Sequence, residues 1–340
     1  RPPRSTLFPY TTLFRSGIAH ILEHSVLCGS KNFPVKEPFV ELMKGSLQTF
    51  LNAMTFPDKT MYPVASRNRK DFFNLMNVYL DAVFYPNISE ETFKQEGWHY
   101  ELNSPEDKIV YKGVVLNEMK GEFSSPESCI DRQLAHSLFP STPYGYESGG
   151  DPKSIPDLTY ADFKDFHKKH YHPSNSRLFL YGDGDTKSYL EFLQEKYLQD
   201  FEHMDVNTSI AHQRSFRKPK RKSMTYPVSS HESLEKKTFV LVGYKLDKAI
   251  NHEHCLGFSI LSHLLLGSSA SPLRKALITS ELGSEVIGGG FDDNRADTIF
   301  AVGLKGTEPE HENKVLVLID STLRDLAENE IGRASCRERV

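Results

Sequence analysis

Residues 17–30 read Gly-Ile-Ala-His-Ile-Leu-Glu-His-Ser-Val-Leu-Cys-Gly-Ser, and the rest of the chain is organised around this stretch. Side chains at positions i and i+4 of a helix share one face, so His20 and His24 can direct both imidazoles at one ion, with Glu23 beside them. Neutral imidazole suits Zn²⁺, and a neighbouring carboxylate can accept a proton from water. The spacing therefore predicts a helix that carries two metal ligands and a general base.

The order H-x-x-E-H is the inverse of the zincin motif H-E-x-x-H and is typical of inverzincins. A catalytic zinc site needs a third protein ligand. Glu118 is the best candidate, since it follows a short apolar run and is expected to start or lie on a helix, while Glu122 and Glu127 are alternatives by chemistry alone. A solvated helix face with two histidines is the non-functional alternative.

Several blocks of sequence, in a fixed order, resemble the presequence-degrading branch of the pitrilysin/insulysin family of metallopeptidases. The resemblance extends from residue 17 to about residue 330. It includes the blocks GIAHILEHSVLCGS, KEPFVELMKGSLQTFLNAMTFPDKTMYPVAS, NLMNVYLDAVFYPNI, VYKGVVLNEMKGEFSSPES, YGYESGGDP and FHKKHYHPSNSRLFLYGD.

The resemblance implies a zinc metalloendopeptidase that degrades short unfolded peptides, such as cleaved targeting sequences, inside a closed chamber. It assigns His20, His24 and Glu118 as ligands of one Zn²⁺ per chain and Glu23 as the general base. It also implies that the segment from Asn52 to Thr55 lines the cleft, which makes Asn52 a candidate substrate contact; an ordinary strand asparagine is the alternative.

Both ends of the chain are expected to be foreign to the protein. Thr6 to Ser16 matches the translation of a common sequencing adapter, and residues 331–340 match its complementary strand. We therefore expect 1–16 and 331–340 to be adapter-derived and exclude them from fold reasoning. On this hypothesis the carboxy-terminal half is missing and would be a partner of this chain, while the full-length protein would be a monomer.

Composition is that of a soluble globular protein, with 38% hydrophobic and 25% charged residues. The net charge of −4 does not favour nucleic-acid binding, and no apolar run is long enough to cross a bilayer. Outside the adapter-like end, Cys28, Cys129 and Cys255 are scattered, which is typical of reduced thiols. We therefore expect an intracellular compartment: a mitochondrial or plastid matrix in a eukaryote, or the cytoplasm of a bacterium.

The fold class predicted is α+β, with two homologous pitrilysin-type (LuxS/MPP-like metallohydrolase) domains. Each would have a mixed, mainly antiparallel sheet with helices on one face. The catalytic domain is placed at 17–205, a linker at 206–237, and a truncated second repeat at 238–330. His263 echoes His24 in this repeat, but Ser259 and Ser262 stand near the positions of His20 and Glu23, so no ligand set is expected there.

Local signals also predict individual elements. Asn68 and Ser89 are expected to cap helices, and Thr159 to open a capping box. Further expected elements are a hairpin of strands 50–54 and 60–64, helices near 37–44, 126–138, 186–198, 255–266 and 310–327, and strands at 177–181, 238–244 and 298–304.

Two rival functions remain at this stage. A catalytically inactive relative in the same family would serve as a structural or processing partner, although such proteins normally lack part of the ligand set. A small lyase can also bind metal through an H-x-x-E-H helix, but it would share only those five residues and would not need a second repeat.

Overall fold

The helix α1, Ile18–Val26, is built on an apolar face that packs into the core of its unit. The computed structural model describes residues 15–329. The helix begins after Gly17, whose φ of 66° lies in the left-handed region, and an added Cβ would lie 2.4 Å from the Gly149 oxygen. Glycine is therefore required at this start. The cluster around α1 contains Ile18, Ile21, Leu22, Val26, Phe93, Val115, Leu116, Met119, Ile155, Leu158 and Phe163.

The described chain divides into two compact units. One contains Tyr146–Ser209 and the described residues up to Phe123, and the other contains Ser124–Gly145 and the described residues from Ile210 onward. The predicted boundaries of the catalytic domain, linker and second repeat stay predictions. Almost all of 1–16 and the whole of 331–340, the segments expected to be adapter-derived, lie outside the described residues.

The first unit combines helices with short antiparallel ladders. Its strands pair as β1 with β4, β2 with β3, and β5 with β6. After α1 the elements are α2 Pro38–Gly45, β1 Gln48–Leu51, β2 Met54–Thr55, β3 Thr60–Met61, β4 Val64–Ser66, α3 Arg69–Phe84, α4 Glu90–Glu96, β5 His99–Glu101, β6 Val110–Lys112, α5 Val114–Glu122, α7 Tyr160–His170 and α8 Thr186–Lys196, while α6, Pro126–Leu138, belongs to the other unit.

The predicted hairpin and helix caps are confirmed. The hairpin runs through all four strands β1 to β4, with Met54 paired to Met61 and Leu51 to Val64. Asn68 and Ser89 accept hydrogen bonds from backbone N–H groups of the first turns of α3 and α4, and Thr159 forms a capping box with Asp162.

The strand predicted at 177–181 is wrong. These residues form no strand, and Phe179 and Tyr181 are 87% and 94% exposed. Their continuous run of apolar and aromatic residues fits a strand, but a strand also needs a hydrogen-bonded neighbour. No other segment among residues 15–329 pairs with them.

Besides α6, the second unit contains β7 Thr238–Lys248, α9 His252–Leu266, α10 Pro272–Thr279, β8 Glu285–Asp292, β9 Asp297–Thr307 and α11 Glu312–Glu328. Its three strands form one antiparallel sheet in the order β7–β9–β8. Its core is formed by the sheet together with α9 to α11. Two of its elements, α10 and β8, were not predicted, and β8 escapes the strand pattern because Gly288, Gly289 and Gly290 interrupt it at a register shift.

The α+β class with antiparallel sheets is confirmed. Within the described part of the chain, no helix is both long and apolar enough to cross a membrane. Cys28, Cys129 and Cys255 form no disulfide among the described residues.

Candidate metal centre

Three side chains of the first unit converge on one point. His20 and His24 come from α1 and Glu118 from α5, and one ligand atom of each lies within 4.8 Å of the others. The Nε2 atoms of His20 and His24 are each 3.8 Å from Oε2 of Glu118. Among residues 15–329 this is the only group of three or more His, Cys, Asp or Glu side chains that could hold a metal ion.

The alternatives to Glu118 do not join this group. Glu127 lies at the first turn of α6 and pairs with Lys305, with Oε1 3.2 Å from Nζ. Glu122, at the end of α5, is not a member of the cluster. The helix geometry explains this selection, since residue 122 follows residue 118 by one turn and lies farther along the axis.

The outer nitrogens of both imidazoles are held by acceptors. His20 Nδ1 lies 3.4 Å from the Gly149 carbonyl oxygen, and His24 Nδ1 lies 3.3 Å from Oε2 of Glu96. A carbonyl oxygen can only accept, so the neutral tautomer that fits this contact has its proton on Nδ1 and its lone pair on Nε2. This arrangement, with an outer acceptor fixing tautomer and ring orientation, is typical of metal-binding histidines.

Electrostatics at His24 are dominated by nearby carboxylates. Burial lowers the pKa of His24, but the hydrogen bond to Glu96 and the charges of Glu23, Glu96 and Glu118 outweigh it, so this pKa is raised above 6.5. Burial raises the pKa of Glu96, yet its hydrogen bonds from His24 and Gln95 leave that pKa lowered overall. A cluster of anionic groups around a neutral imidazole favours a cation.

Glu23 is almost completely buried, with 8% of its surface exposed. The hydroxyl of Thr55 donates to its Oε2 at 2.5 Å. By contrast, the side chain of Glu118 is 54% exposed, so the cluster opens on the Glu118 side. The site therefore pairs a fixed carboxylate with a ligand set that solvent can reach.

A cavity of about 270 Å³ lies beside Glu23 and His24. Asn52, between β1 and β2, is exposed and lines this cavity. Its own side-chain oxygen accepts from the Ala53 N–H at 2.9 Å. The cavity wall mixes polar and apolar groups and is formed by Glu23, His24, Leu27, Cys28, Glu37, Phe39, Val40, Asn52, Ala53 and Glu96.

Three residues at the site were missed from the sequence: Thr55, Glu96 and Gly149. Glu96 is 72 positions from His24 and Gly149 is 129 positions from His20, so no local spacing reveals either contact. Thr55 is the last residue of the segment 52–55, which the family resemblance places along the cleft. That placement is the sequence signal that could have identified Thr55 as a residue of the site.

Among its described residues, the second unit has no equivalent group of metal-binding side chains. His263 lies on α9, but Ser262 uses its hydroxyl to accept from the Phe291 N–H at 3.0 Å, and Ser259 supplies no metal ligand. Glu23 on α1 accepts from Thr55 of β2, and Ser262 on α9 accepts from Phe291 of β8. Within residues 15–329, two imidazoles and a carboxylate converge in the first unit alone.

Comparisons with known proteins agree with this architecture. The chain is 51% identical over 320 residues to the protein HypA of Clostridium perfringens, covering 94% of this chain and 33% of that protein. It is 51% identical over 318 residues to presequence protease 1, chloroplastic/mitochondrial, of Arabidopsis thaliana, covering 92% and 29%. The chain thus spans about a third of the length of these relatives.

A solved structure of a peptidase M16 inactive domain from Pseudomonas fluorescens shares the fold, with a TM-score of 0.68 at 16% identity, covering 93% of this chain and 70% of that one. The family model for insulinase (peptidase family M16) matches residues 14–122, and the model for the peptidase M16 inactive domain matches residues 157–338. The chain therefore belongs to peptidase family M16 and is homologous to the presequence proteases.

Proposed function

We propose that this chain is the metal-binding part of a zinc metalloendopeptidase that hydrolyses short unfolded peptides, such as cleaved targeting presequences. The observation that carries the proposal is the convergence of His20, His24 and Glu118 next to the buried carboxylate of Glu23. Two imidazoles and one carboxylate are the ligand types of catalytic zinc sites in peptidases, which keep a fourth position open. The donor set therefore fits zinc.

When bound there, zinc would lower the pKa of a water toward about 7 and polarise the substrate carbonyl. His20, His24 and Glu118 would hold the ion, because their imidazole and carboxylate groups converge on one point. Glu23 accepts the proton of the attacking water and can pass it to the leaving amine. Asn52, on the wall of the cavity, contacts the extended substrate.

The relatives support the proposed substrate and compartment. Those named presequence proteases are mitochondrial or chloroplastic, and HypA is bacterial. We therefore propose a reducing compartment, either an organelle matrix or a bacterial cytoplasm, in which the free thiols of the described chain persist. Unfolded peptides and the remainder of the protease are the proposed partners.

One observation favours a second candidate, a catalytically inactive partner within the same family. More than half of the chain matches the inactive domain of peptidase family M16. The inactive candidate predicts no zinc-dependent turnover even in a full-length protein, whereas the peptidase proposal predicts turnover that Glu23 controls.

Two variants test the assigned roles. Glu23→Gln keeps the side-chain shape but removes the proton acceptor, so we expect zinc to remain bound while hydrolysis of a quenched unfolded peptide falls by about 10²–10⁴-fold. Glu118→Gln removes an anionic ligand, so zinc affinity should fall by more than about 100-fold. Loss of a residue that only hydrogen-bonds to a ligand already costs up to about 100-fold. Glu122→Gln is the matched control on the same helix.

Metal analysis and turnover are measured on the same samples, within a full-length protein that contains this chain. Loss of zinc in Glu23→Gln would make Glu23 a ligand and contradict its role as base. If Glu118→Gln kept full zinc content and turnover, Glu118 would not be the third ligand, and Glu122 or Glu127 would have to take that role.

A further inference from the structure

The buried carboxylate of Glu23 is hydrogen-bonded to Thr55, on the hairpin formed by β1 to β4, and Thr55 is in turn hydrogen-bonded to Ser148. Thr55 is the last residue of β2, and its Oγ1 donates to Oε2 of Glu23 at 2.5 Å. The hydroxyl has to be the donor, because an ionised carboxylate only accepts. Oε2 of Glu23 thus accepts from Thr55, and this bond sets the direction of the whole carboxylate, including its second oxygen, Oε1.

Thr55 is itself held from two sides. It pairs with Thr60 across the hairpin, with the two Oγ1 atoms 3.4 Å apart, and its carbonyl oxygen accepts from Ser148 Oγ at 3.2 Å. These bonds fix the backbone from which the Thr55 hydroxyl reaches Glu23. A hydroxyl on a paired strand has few alternative orientations.

The segment 148–149, which bonds to Thr55, also bonds to the candidate metal ligand His20. Gly149 follows Ser148, and its carbonyl accepts from His20 Nδ1. The segment 148–149 therefore positions the His20 ring directly and the Glu23 carboxylate through Thr55.

We propose that Thr55 is a positioning residue that orients the Glu23 carboxylate, and that Ser148 keeps Thr55 in place. The inference rests on the proposed function of Glu23 as general base. A general base acts only when its free oxygen lies within hydrogen-bond reach of the water, and a misplacement of about 1 Å can cost about 100-fold in rate. The described contacts of Thr55 are with Glu23, Thr60 and Ser148, so its role is separable from ligand binding.

The experiment compares Thr55→Val, which keeps the shape but removes the hydroxyl, with the matched control Thr55→Ser, which keeps the hydroxyl. The metal-free 340-residue chain is labelled with ¹³C at the glutamate side-chain carboxyl, and Glu23→Gln identifies the Glu23 resonance. We expect this resonance to move in Thr55→Val and to stay in place in Thr55→Ser. Ser148→Ala should move it in the same direction by a smaller amount, and it serves as the second variant if Thr55→Val does not fold.

Zinc titration gives an independent readout. The zinc Kd of both Thr55 variants should stay within about twofold of the wild-type value. Removing a residue that hydrogen-bonds to a metal ligand would instead weaken binding by about 10–100-fold. In a full-length protein that contains this chain, Thr55→Val should lower kcat by about 10–100-fold with KM unchanged, and Thr55→Ser should restore kcat.

An unmoved Glu23 resonance in both Thr55→Val and Ser148→Ala would overturn the proposal, as would a Thr55→Val chain that folds but loses zinc. The proposed function fails in a different way. If the wild-type chain bound no zinc while Thr55→Val still moved the Glu23 resonance, the metallopeptidase function would be refuted and the orienting contact would stand.

Discussion

At the scale of single residues, the partner of each outer imidazole nitrogen determines what the inner nitrogen can do. His24 donates to Glu96 and His20 to a backbone carbonyl, so both Nε2 atoms face Glu118 as lone-pair donors. The two partners differ in charge. Glu96 therefore affects the proton affinity of His24, whereas the neutral carbonyl of Gly149 mainly fixes the orientation of His20.

Glu96→Gln should lower the pKa of His24, because it removes the hydrogen bond and one of the charges that raise it. A proton on His24 competes with a metal ion, so zinc affinity falls as pH decreases through the His24 pKa. When the pH is lowered from about 8 to about 6, a range around the ordinary histidine pKa of about 6.5, zinc affinity should therefore fall less in Glu96→Gln than in the wild type. At about pH 8, where His24 is neutral, its affinity should be about 10–100-fold lower than wild type, since an amide orients the ring less well.

Imidazole NMR titration of the metal-free chain measures this pKa, and zinc titration at both pH values measures the affinity. Glu101→Gln, on the exposed hairpin β5–β6, is the control carboxylate. An unchanged His24 pKa in Glu96→Gln would show that Glu96 does not stabilise the imidazolium.

At the scale of elements, the loop around Gly149 joins the start of α1 to α5. An added Cβ at Gly149 would lie 2.4 Å from Met119 Sδ and 3.4 Å from His20 Nδ1. Met119 belongs to α5 and follows Glu118 directly, so its displacement would disturb the candidate ligand Glu118 as well as His20. The loop therefore packs against both helices that carry the candidate ligands, α1 and α5.

Gly149→Ala should destabilise the first unit by about 1–3 kcal/mol, the usual cost of overpacking, and weaken zinc binding at the same time. Gly45→Ala, at the end of α2 with open space around its Cβ position, is the control and should leave zinc affinity unchanged. Urea unfolding and zinc titration measure the two effects. Wild-type stability and affinity in Gly149→Ala would show that Met119 moves aside without cost.

At the scale of the whole molecule, the chain spans about a third of its relatives' length. We predict that the chain alone binds zinc but hydrolyses peptides poorly. Efficient hydrolysis needs groups placed around the scissile bond to clamp the substrate and stabilise the oxyanion. On the proposed function, the remainder of the protease supplies these groups.

The measurement is turnover of an unfolded peptide by residues 17–330, with and without the separately expressed remainder of a close relative. Turnover should rise on addition of the remainder, and the same mixture with Glu23→Gln should stay inactive. Strong turnover by the chain alone would mean that it is a complete enzyme and would contradict the chamber model for this protein.

Sequence signals of short range were reliable in this chain. The i, i+4 spacing of His20 and His24 predicts their common helix face, and Asn68 and Ser89 predict where α3 and α4 begin. These features depend on backbone geometry within one or two turns. The strand predicted at 177–181 failed because pairing depends on a neighbour that local pattern does not supply.

The sequence by itself determined the α1 helix, its two histidines and the adjacent glutamate, since all of them follow from helical periodicity. It left Glu118, Glu122 and Glu127 as alternatives by chemistry, and only the tertiary structure brings Glu118 within 3.8 Å of both imidazoles. Glu96, Thr55 and Gly149 likewise reach the site from 32 to 129 positions away. Such contacts are decided by packing of α1 against other elements, because a hydrogen bond depends on distance in space and not on separation along the chain.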